Sequence, residues 1–297
     1  MHSMIIGFGS MGKQHYESLI DIIKKEEVWI FSRRKLDFQN NINDLKKIDI
    51  NKFKYFIIAN EASLHIEWIQ KLQTTNAKIL VEKPLSSQSF IPNTIKNKEN
   101  IYIGYYLRLH PLVKKIKELN VKDIVDIKFV NNSWLPEWRK NQNYEKSVSS
   151  RKSLGGGVLN ELSHDLDLAK YIFGDYKIKK SSLKKTKDLN IDVFDTFFGY
   201  AENLKSGYTI KFELSMANKN VEKYILIKTE NDLIKLDFIN NTYKSRNIEQ
   251  YTDFHESSKN SLLKEQHQTI LNTEENFLSK FDDGLWLVNL IQEIKNG

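Results

Sequence analysis

Three groups of residues in this chain have types and spacings that suit chemistry. The first is Gly7-Phe8-Gly9-Ser10-Met11-Gly12, which fits G-x-G-x-x-G. It lies between a short apolar run, Met4-Ile5-Ile6, and a stretch with Leu19, Ile20, Ile22 and Ile23 at helical spacing. There the first glycine permits a tight turn, the second lets the backbone approach a pyrophosphate, and the third allows a helix to pack closely on a strand. A helix that starts at such a turn presents free N–H groups and a partial positive charge to the phosphates. Any glycine turn between a strand and a helix has the same look, so the motif depends on its setting. The second group is Lys83, within Glu82-Lys83-Pro84 and just after the apolar run 78–81. The third is Glu161 and His164, downstream of Gly155-Gly156-Gly157. Oxidising an alcohol removes a hydride and a hydroxyl proton. An imidazole with an ordinary pKa of about 6.5 can take that proton near neutral pH. An ammonium group can hold the oxygen and stabilise developing negative charge, or act as the base itself. His164 is therefore expected as proton acceptor, Lys83 as electrostatic partner and Glu161 as the group that orients the histidine.

A dinucleotide site also needs a group for the ribose, at the end of the second strand. NAD is served there by Asp or Glu, about 20 residues beyond the glycines. Here the position reads Phe31-Ser32-Arg33-Arg34, without a carboxylate. A hydroxyl followed by two guanidinium groups suits a 2′-phosphate, because Arg pairs with phosphate through charge-assisted hydrogen bonds. The residues thus favour NADP(H), with NAD(H) possible; two exposed arginines in a loop are the plainer alternative.

These groups need a scaffold, and the hydrophobic pattern supplies one. Short apolar runs at 4–6, 28–31, 55–59, 78–81 and 101–105 alternate with amphipathic stretches, among them 63–74 with Leu64, Trp68, Ile69 and Leu72 at helical spacing. Strand and helix in alternation predict a parallel sheet with crossover helices. Lys83 then falls at the carboxyl end of a strand, where open α/β sheets place their ligands. From residue 121 the texture changes. Strand-like segments at 124–131, 195–201, 207–213, 224–229 and 233–238, separated by turn signals, predict a mostly antiparallel sheet. The lysine-rich 177–189 reads as a solvated edge strand or loop. The fold class is α/β: an N-terminal Rossmann NAD(P)-binding domain, residues 1–110, and a C-terminal α/β domain with a large, mostly antiparallel sheet, residues 111–297. After the three glycines a single helix is expected. At about 100° per residue, Leu159, Leu162, Leu166, Ala169 and Phe173 share one face, and His164 projects roughly opposite it. Glu-x-x-His pairs also bind iron in helix bundles, but that use needs a second copy, so no metal is expected.

Composition sets the class. The 297 residues are 40% apolar and 28% charged, with 4 Pro and no Cys. That is globular, with neither disulfides nor thiolate metal sites. No apolar run reaches the length of a membrane helix and no secretory leader is apparent, so a cytoplasmic protein without a membrane partner is expected. The net charge of +7 comes from 45 Lys+Arg against 38 Asp+Glu. The basic residues are dispersed in short pairs, and no nucleic-acid-binding signature accompanies them, so no nucleic-acid partner is expected.

Several of these segments, in order, resemble the family of glucose–fructose oxidoreductase, inositol dehydrogenase and MocA. They are the glycine motif, Ala59-Asn60-Glu61-Ala62-Ser63-Leu64-His65, Glu82-Lys83-Pro84, Gly104-Tyr105-Tyr106-Leu107-Arg108-Leu109-His110-Pro111, the three glycines with Glu161, His164 and Asp167, and a terminal stretch from Glu275-Asn276-Phe277 to Leu290. The likeness spans nearly the whole chain. It implies a Rossmann domain followed by an α/β domain, and NAD(P)-dependent oxidoreductase chemistry on sugars, sugar nucleotides or polyols. It also implies a homo-oligomer, dimer or tetramer, and places Asn60, Glu61, His65, Glu82 and Lys83 with the glycines at the cofactor. Two departures stand out. Many members have an aspartate four residues before the helix histidine, whereas Glu161 lies three before His164. The usual Thr-Pro after the third strand is Asn60-Glu61 here.

The substrate is expected to be a small sugar-like molecule. Trp134-Leu135-Pro136-Glu137-Trp138-Arg139 and Tyr144 mix aromatic faces with hydrogen-bonding groups, as sugar sites do. Arg108, Trp138, Arg139, Tyr144, Asn160 and His164 are the candidates to hold it; ordinary packing explains the tryptophans equally well. A WLPxWR stretch of this kind resembles family members acting on surface-polysaccharide or nonulosonate-type sugars. A competing reading is an NADP-binding redox sensor or regulatory protein without turnover.

Overall fold

The computed structural model describes residues 1–297 apart from 39, 89–90, 140, 247, 254–256 and 274–276, and for 248–253 the backbone alone. It contains two compact units. The first comprises Met1–Leu109 and Ser258–Asn289, the second His110–Ser257 and Leu290–Gly297.

The N-terminal stretch folds as β1 (His2–Ile6), α1 (Ser10–Ile20), β2 (Val28–Phe31), β3 (Asn41–Ile42), β4 (Phe53–Ile58), α2 (His65–Leu72), β5 (Lys78–Val81) and β6 (Ile101–Ile103). The middle stretch gives α3 (Pro111–Leu119), β7 (Ile124–Trp134), α4 (Val158–Glu161), α5 (Ser163–Phe173), β8 (Tyr176–Lys184), β9 (Thr196–Asn203), β10 (Thr209–Ser215), β11 (Ala217–Thr229), β12 (Leu233–Asp237), β13 (Thr242–Ser245) and β14 (Ile248–Asp253). The chain ends with α6 (Lys259–Asn272), β15 (Ser279–Lys280) and α7 (Phe281–Asn296).

The first unit is built on a seven-stranded sheet in the order β15-β6-β5-β4-β1-β2-β3, parallel except for β15. Its central strands are apolar at nearly every position because helices cover both faces. Phe53, Tyr55, Phe56, Ile57 and Ile58 of β4 are all buried, and so are Met4, Ile5 and Ile6 of β1. Strand order reverses at β1, which has β2 on one side and β4 on the other. In open α/β sheets the crevice at such a reversal, outside the carboxyl ends of the strands, is where ligands bind. The loops after β1, β2, β4 and β5 all leave from that edge.

The second unit carries an eight-stranded sheet, β14-β13-β12-β11-β7-β10-β9-β8, in which only β10 with β7 runs parallel. Alternation sets its faces. In β10, Ile210, Phe212 and Leu214 are buried, whereas Lys211 is exposed and Glu213 half-buried. Helix α5 packs on the buried face, where Phe173 meets Phe129 edge-on and Phe129 stacks on Phe212 at 5.4 Å. The lysine-rich segment forms β8, an exposed edge strand.

The sequence reading assigned everything beyond residue 110 to one C-terminal domain. That assignment is corrected for 258–289, which fold with the first unit. The cause lies on α6, whose buried residues Leu262, Leu263, Gln266, His267 and Ile270 form one face. Across from it, Ser18 of α1 donates a hydrogen bond to Asn260 (2.6 Å), and Lys78 at the start of β5 donates to the Ile270 carbonyl. Of the terminal stretch singled out in the sequence, Glu275 and Asn276 lie outside the described residues.

Leu263 is fully buried. We expect Leu263→Ala to cost about 2–5 kcal/mol in urea unfolding, the usual range for emptying a leucine site. An unchanged midpoint would remove α6 from the core of the first unit.

Candidate active site

In the first unit the glycine motif makes the tight turn and the close helix packing that its spacing foretells. Gly7 has φ +91°, a left-handed conformation costly for side-chain-bearing residues, and a Cβ there would lie 2.8 Å from the Ala59 carbonyl and from Asn60. A Cβ on Gly12 would lie 2.1 Å from the Gly7 carbonyl oxygen, so the first turn of α1 sits directly on the turn after β1. Gly9 is different. It is the N-cap of α1, no side chain caps the helix there, and a Cβ would enter open space. The helix N-terminus is thus bare backbone facing open volume, the cradle a pyrophosphate requires. Ser10 and Met11 form the first turn beside it.

The end of β2 lies against this cradle. Ser32 is buried and its hydroxyl accepts from the Arg34 backbone N–H (3.1 Å). The Arg34 guanidinium donates to the Phe8 carbonyl at 2.7 Å. Phe8, Tyr16 and Phe38 hold the two loops together edge to face, with Phe38 5.2 Å from each of the other rings. Arg33 reaches the loop after β4 and pairs with Glu61 at 2.6 Å. In the same loop Asn60 carries a buried side-chain oxygen with no hydrogen-bond partner among the described residues. The open cradle and this unsatisfied acceptor fit a dinucleotide that brings phosphates and hydroxyl or amide donors. Lys83 is half-buried at the end of β5, and its backbone N–H donates to the Glu82 carboxylate (3.3 Å).

Two residues expected at the cofactor are buried and bonded to other parts of the protein. His65 is buried, with Nδ1 2.9 Å from the Pro84 carbonyl and Nε2 3.2 Å from the Asn60 carbonyl. It braces the loops after β4 and β5. Glu82 is buried in a chain of polar side chains that sequence reasoning missed. His15 Nε2 lies 2.8 Å from Glu82 Oε1, His15 Nδ1 lies 3.1 Å from His267 Nε2, and His267 Nδ1 lies 2.8 Å from the Tyr55 hydroxyl. One proton arrangement satisfies every member: Tyr55 donates to His267, His267 to His15, and His15 to an ionised Glu82. A signal was present. His15 falls on the buried face of α1 with Gly12, Tyr16 and Leu19, and a polar ring at a core position needs partners.

In the second unit the expected single helix is two. The chain breaks at Leu162 (φ −98°, ψ 24°) between α4 and α5. The break resets the helical phase, so an angular projection from Leu159 to His164 does not hold. His164, expected away from the apolar face, is buried in the first turn of α5 at 7% exposure. Glu161, at the end of α4, is half-buried. Asn160 is buried with its amide donating to the Gly155 carbonyl (2.7 Å), and the Ser163 hydroxyl donates to the Asn160 carbonyl (3.0 Å). Asn160 thus braces the glycine turn. Beneath His164, Asp165 accepts from the Asn131 amide at 2.7 Å and pins the start of α5 to β7.

Among the substrate candidates, Trp138, Arg139 and Tyr144 come together. With Leu135, Gln142, Ser147 and Ser149 they line a cavity of about 10 Å³, room for one water, so within this unit alone the cluster is not a preformed sugar pocket. Arg108 is buried in the first unit, ion-paired with Asp283 at 3.0 Å and hydrogen-bonded to the Leu278 carbonyl, and so anchors the start of α7.

No family model matches the sequence, and no curated protein matches it. Solved structures match along its full length. Levoglucosan dehydrogenase in complex with NADH and levoglucosan is 17% identical, with a TM-score of 0.80 over 100% of this chain and 96% of its own. The WlbA dehydrogenase from Bordetella pertussis, in complex with NADH and UDP-GlcNAcA, is 13% identical, with a TM-score of 0.77 over 100% and 95%. UDP-N-acetylglucosamine 3-dehydrogenase from Acidithiobacillus ferrooxidans is 14% identical, with a TM-score of 0.76 over 100% and 97%. The chain has the fold of these dehydrogenases, with a parallel-sheet α/β unit and a second α/β unit built on a mostly antiparallel sheet.

Buried histidines make stability depend on pH. Burial, with the neighbouring His15, holds His267 well below its ordinary value. Burial also lowers His65, against two carbonyl hydrogen bonds that raise it. His110, at the N-cap of α3, is brought down to about 4 by burial and by the Lys223 ammonium. Each binds a proton more readily unfolded than folded, so each favours unfolding as pH falls below about 6.5. For His110 that loss runs from about 6.5 down to about 4. We expect the melting temperature to fall steadily from pH 7 to pH 5. His110 Nδ1 accepts from the Leu112 N–H, a role an Asn side chain can fill, so His110→Asn should keep the cap and flatten part of this slope. A slope identical in wild type and variant would show that His110 does not titrate on unfolding.

Proposed function

We propose that this chain is an NAD(P)-dependent oxidoreductase that moves a hydride between nicotinamide and a hydroxyl- or keto-bearing carbon of a sugar, sugar nucleotide or polyol. The reading extends to sugars of surface-polysaccharide or nonulosonate biosynthesis, on the strength of the WLPxWR stretch alone. One observation carries it. At the reversal point of a parallel sheet, a bare helix N-terminus at Gly9, the Ser32-Arg33-Arg34 turn, Asn60 and Lys83 all stand at the same strand edge. Dehydrogenases of the same fold, solved with NADH and with sugar or sugar-nucleotide ligands, support it. NADP(H) is the preferred cofactor in this reading and NAD(H) a second one, because Ser32, Arg33 and Arg34 offer a hydroxyl and two guanidinium groups.

The nicotinamide, when bound, supplies the acceptor or donor of the hydride. The backbone of Gly7–Gly12 holds the pyrophosphate. Lys83 holds the substrate oxygen and stabilises its developing charge. His164 takes the hydroxyl proton in oxidation and returns it in reduction. Glu161 orients His164, and the Asp165–Asn131 hydrogen bond fixes the turn that carries it. Trp138, Arg139 and Tyr144 contribute to sugar binding. Self-association as a homo-oligomer belongs to the same proposal and is supported by Phe198 and Tyr200, which β9 leaves 41% and 43% exposed.

Native mass spectrometry of the purified protein identifies the cofactor, and a sugar panel with NADP⁺ or NAD⁺ identifies a substrate. On that substrate we expect Lys83→Met and His164→Ala each to lower turnover by about 10²-fold or more, while coenzyme affinity changes far less. Undiminished turnover in both variants would end the assignment of these two residues.

A further inference from the structure

We infer that Glu61 sets how strongly the first unit discriminates a 2′-phosphate from a 2′-hydroxyl on the adenosine ribose. The inference rests on the dehydrogenase reading above and concerns its cofactor site. In sequence, the end of β2 lacks the carboxylate that serves the ribose hydroxyls of NAD. In space, one is present. Glu61 comes from the loop after β4, and its Oε1 stands 2.6 Å from Nη2 of Arg33. The carboxylate missing from one loop is supplied by its neighbour, directly on a guanidinium that a 2′-phosphate would use.

The two arginines at this turn are therefore not equivalent. Arg34 is tied to the Phe8 carbonyl at 2.7 Å and holds the β2 turn against the glycine turn. Arg33 projects outward, its side chain 80% exposed, with Glu61 as its partner. A phosphate monoester brings nearly two negative charges at neutral pH. It must compete with Glu61 for Arg33 and meets the repulsion of the carboxylate as it does so. A ribose hydroxyl pays neither penalty, since it is neutral and can itself donate to Glu61. Glu61 thus weakens NADP(H) binding relative to NAD(H) and moderates the preference that Arg33 and Arg34 create. The pair is exposed to solvent, so the effect is modest and screened by salt.

The test is calorimetric titration of wild type, Glu61→Gln, Arg33→Gln and the double variant with NADH and with NADPH, at low and high salt. Glu61 makes no side-chain capping bond to the turn it begins, so the substitution leaves that turn intact. We expect Glu61→Gln to shift the affinity ratio towards NADPH by about three- to tenfold at low salt and less at high salt. In the Arg33→Gln background the shift should shrink, since only the direct effect of the carboxylate on the ribose substituent then remains. An unchanged ratio in a protein that binds both coenzymes would overturn the inference alone. A full shift without Arg33 would overturn it too, since Glu61 would then act by another route. Failure of wild type to bind either coenzyme would overturn the dehydrogenase reading, and this inference with it.

Discussion

A buried carboxylate needs hydrogen-bonding partners, and much of the first unit is arranged to answer Glu82. Burial alone would raise its pKa. The His15 hydrogen bond and the charge around it reverse that effect, and the carboxyl is held below its ordinary value. His15 can donate to Glu82 only if its other nitrogen is satisfied, and that demand passes to His267 and then to Tyr55. The four residues come from α1, the loop after β5, α6 and β4. A chain of this kind is sensitive to a missing member, because any broken link leaves an unpaired polar group in a dry interior. It fixes the helix that begins the glycine cradle and the strand end that carries Lys83 in one network. It also explains why α6, more than 150 residues distant in sequence from the last strand of the parallel run, returns to this unit.

The sheet edge sorts its side chains by depth. Those deepest in it, Glu82 and His65, bind other parts of the protein and hold the loops in place. Nearer the surface stand Gly9, the exposed Arg33 and the half-buried Asn60 and Lys83. Glu82 and Lys83 are adjacent in the chain yet face these two environments, because successive residues leaving a strand point to opposite sides.

Much of this was legible in the sequence. Five of the six parallel strands are read directly from short apolar runs, because a strand buried on both faces leaves a nearly continuous signature, as at 55–58 or 79–81. The glycine spacing gave the cradle, since backbone strain and close contact at Gly7 and Gly12 admit no other residue cheaply. Three things were hidden. The short pairings of β3 and β15 are two residues each, too brief for periodicity to mark. The chain through His15 and His267 joins positions 252 residues apart, and nothing local to either encodes the other. Arg108 reads as a binding arginine in sequence because its type suits anions, while its partner Asp283 lies 175 residues away.

The break at Leu162 shows how an error of one residue propagates. Helical periodicity predicts side-chain direction only while the phase is kept. Over Val158–Phe173 a continuous helix would turn Glu161 and His164 to neighbouring positions on one face, at three residues' spacing. The actual chain completes one short turn, ending at Glu161, and restarts at Ser163, whose hydroxyl binds the Asn160 carbonyl. The restart places His164 and Asp165 together in a first helical turn, with Asp165 anchored to Asn131. Burial raises the Asp165 pKa, while the Lys223 charge and the Asn131 hydrogen bond pull it down without overcoming that rise. The residue next to His164 is thus held by a hydrogen bond from below, so the orientation of the histidine depends on the sheet under the helix as well as on its neighbours along the chain.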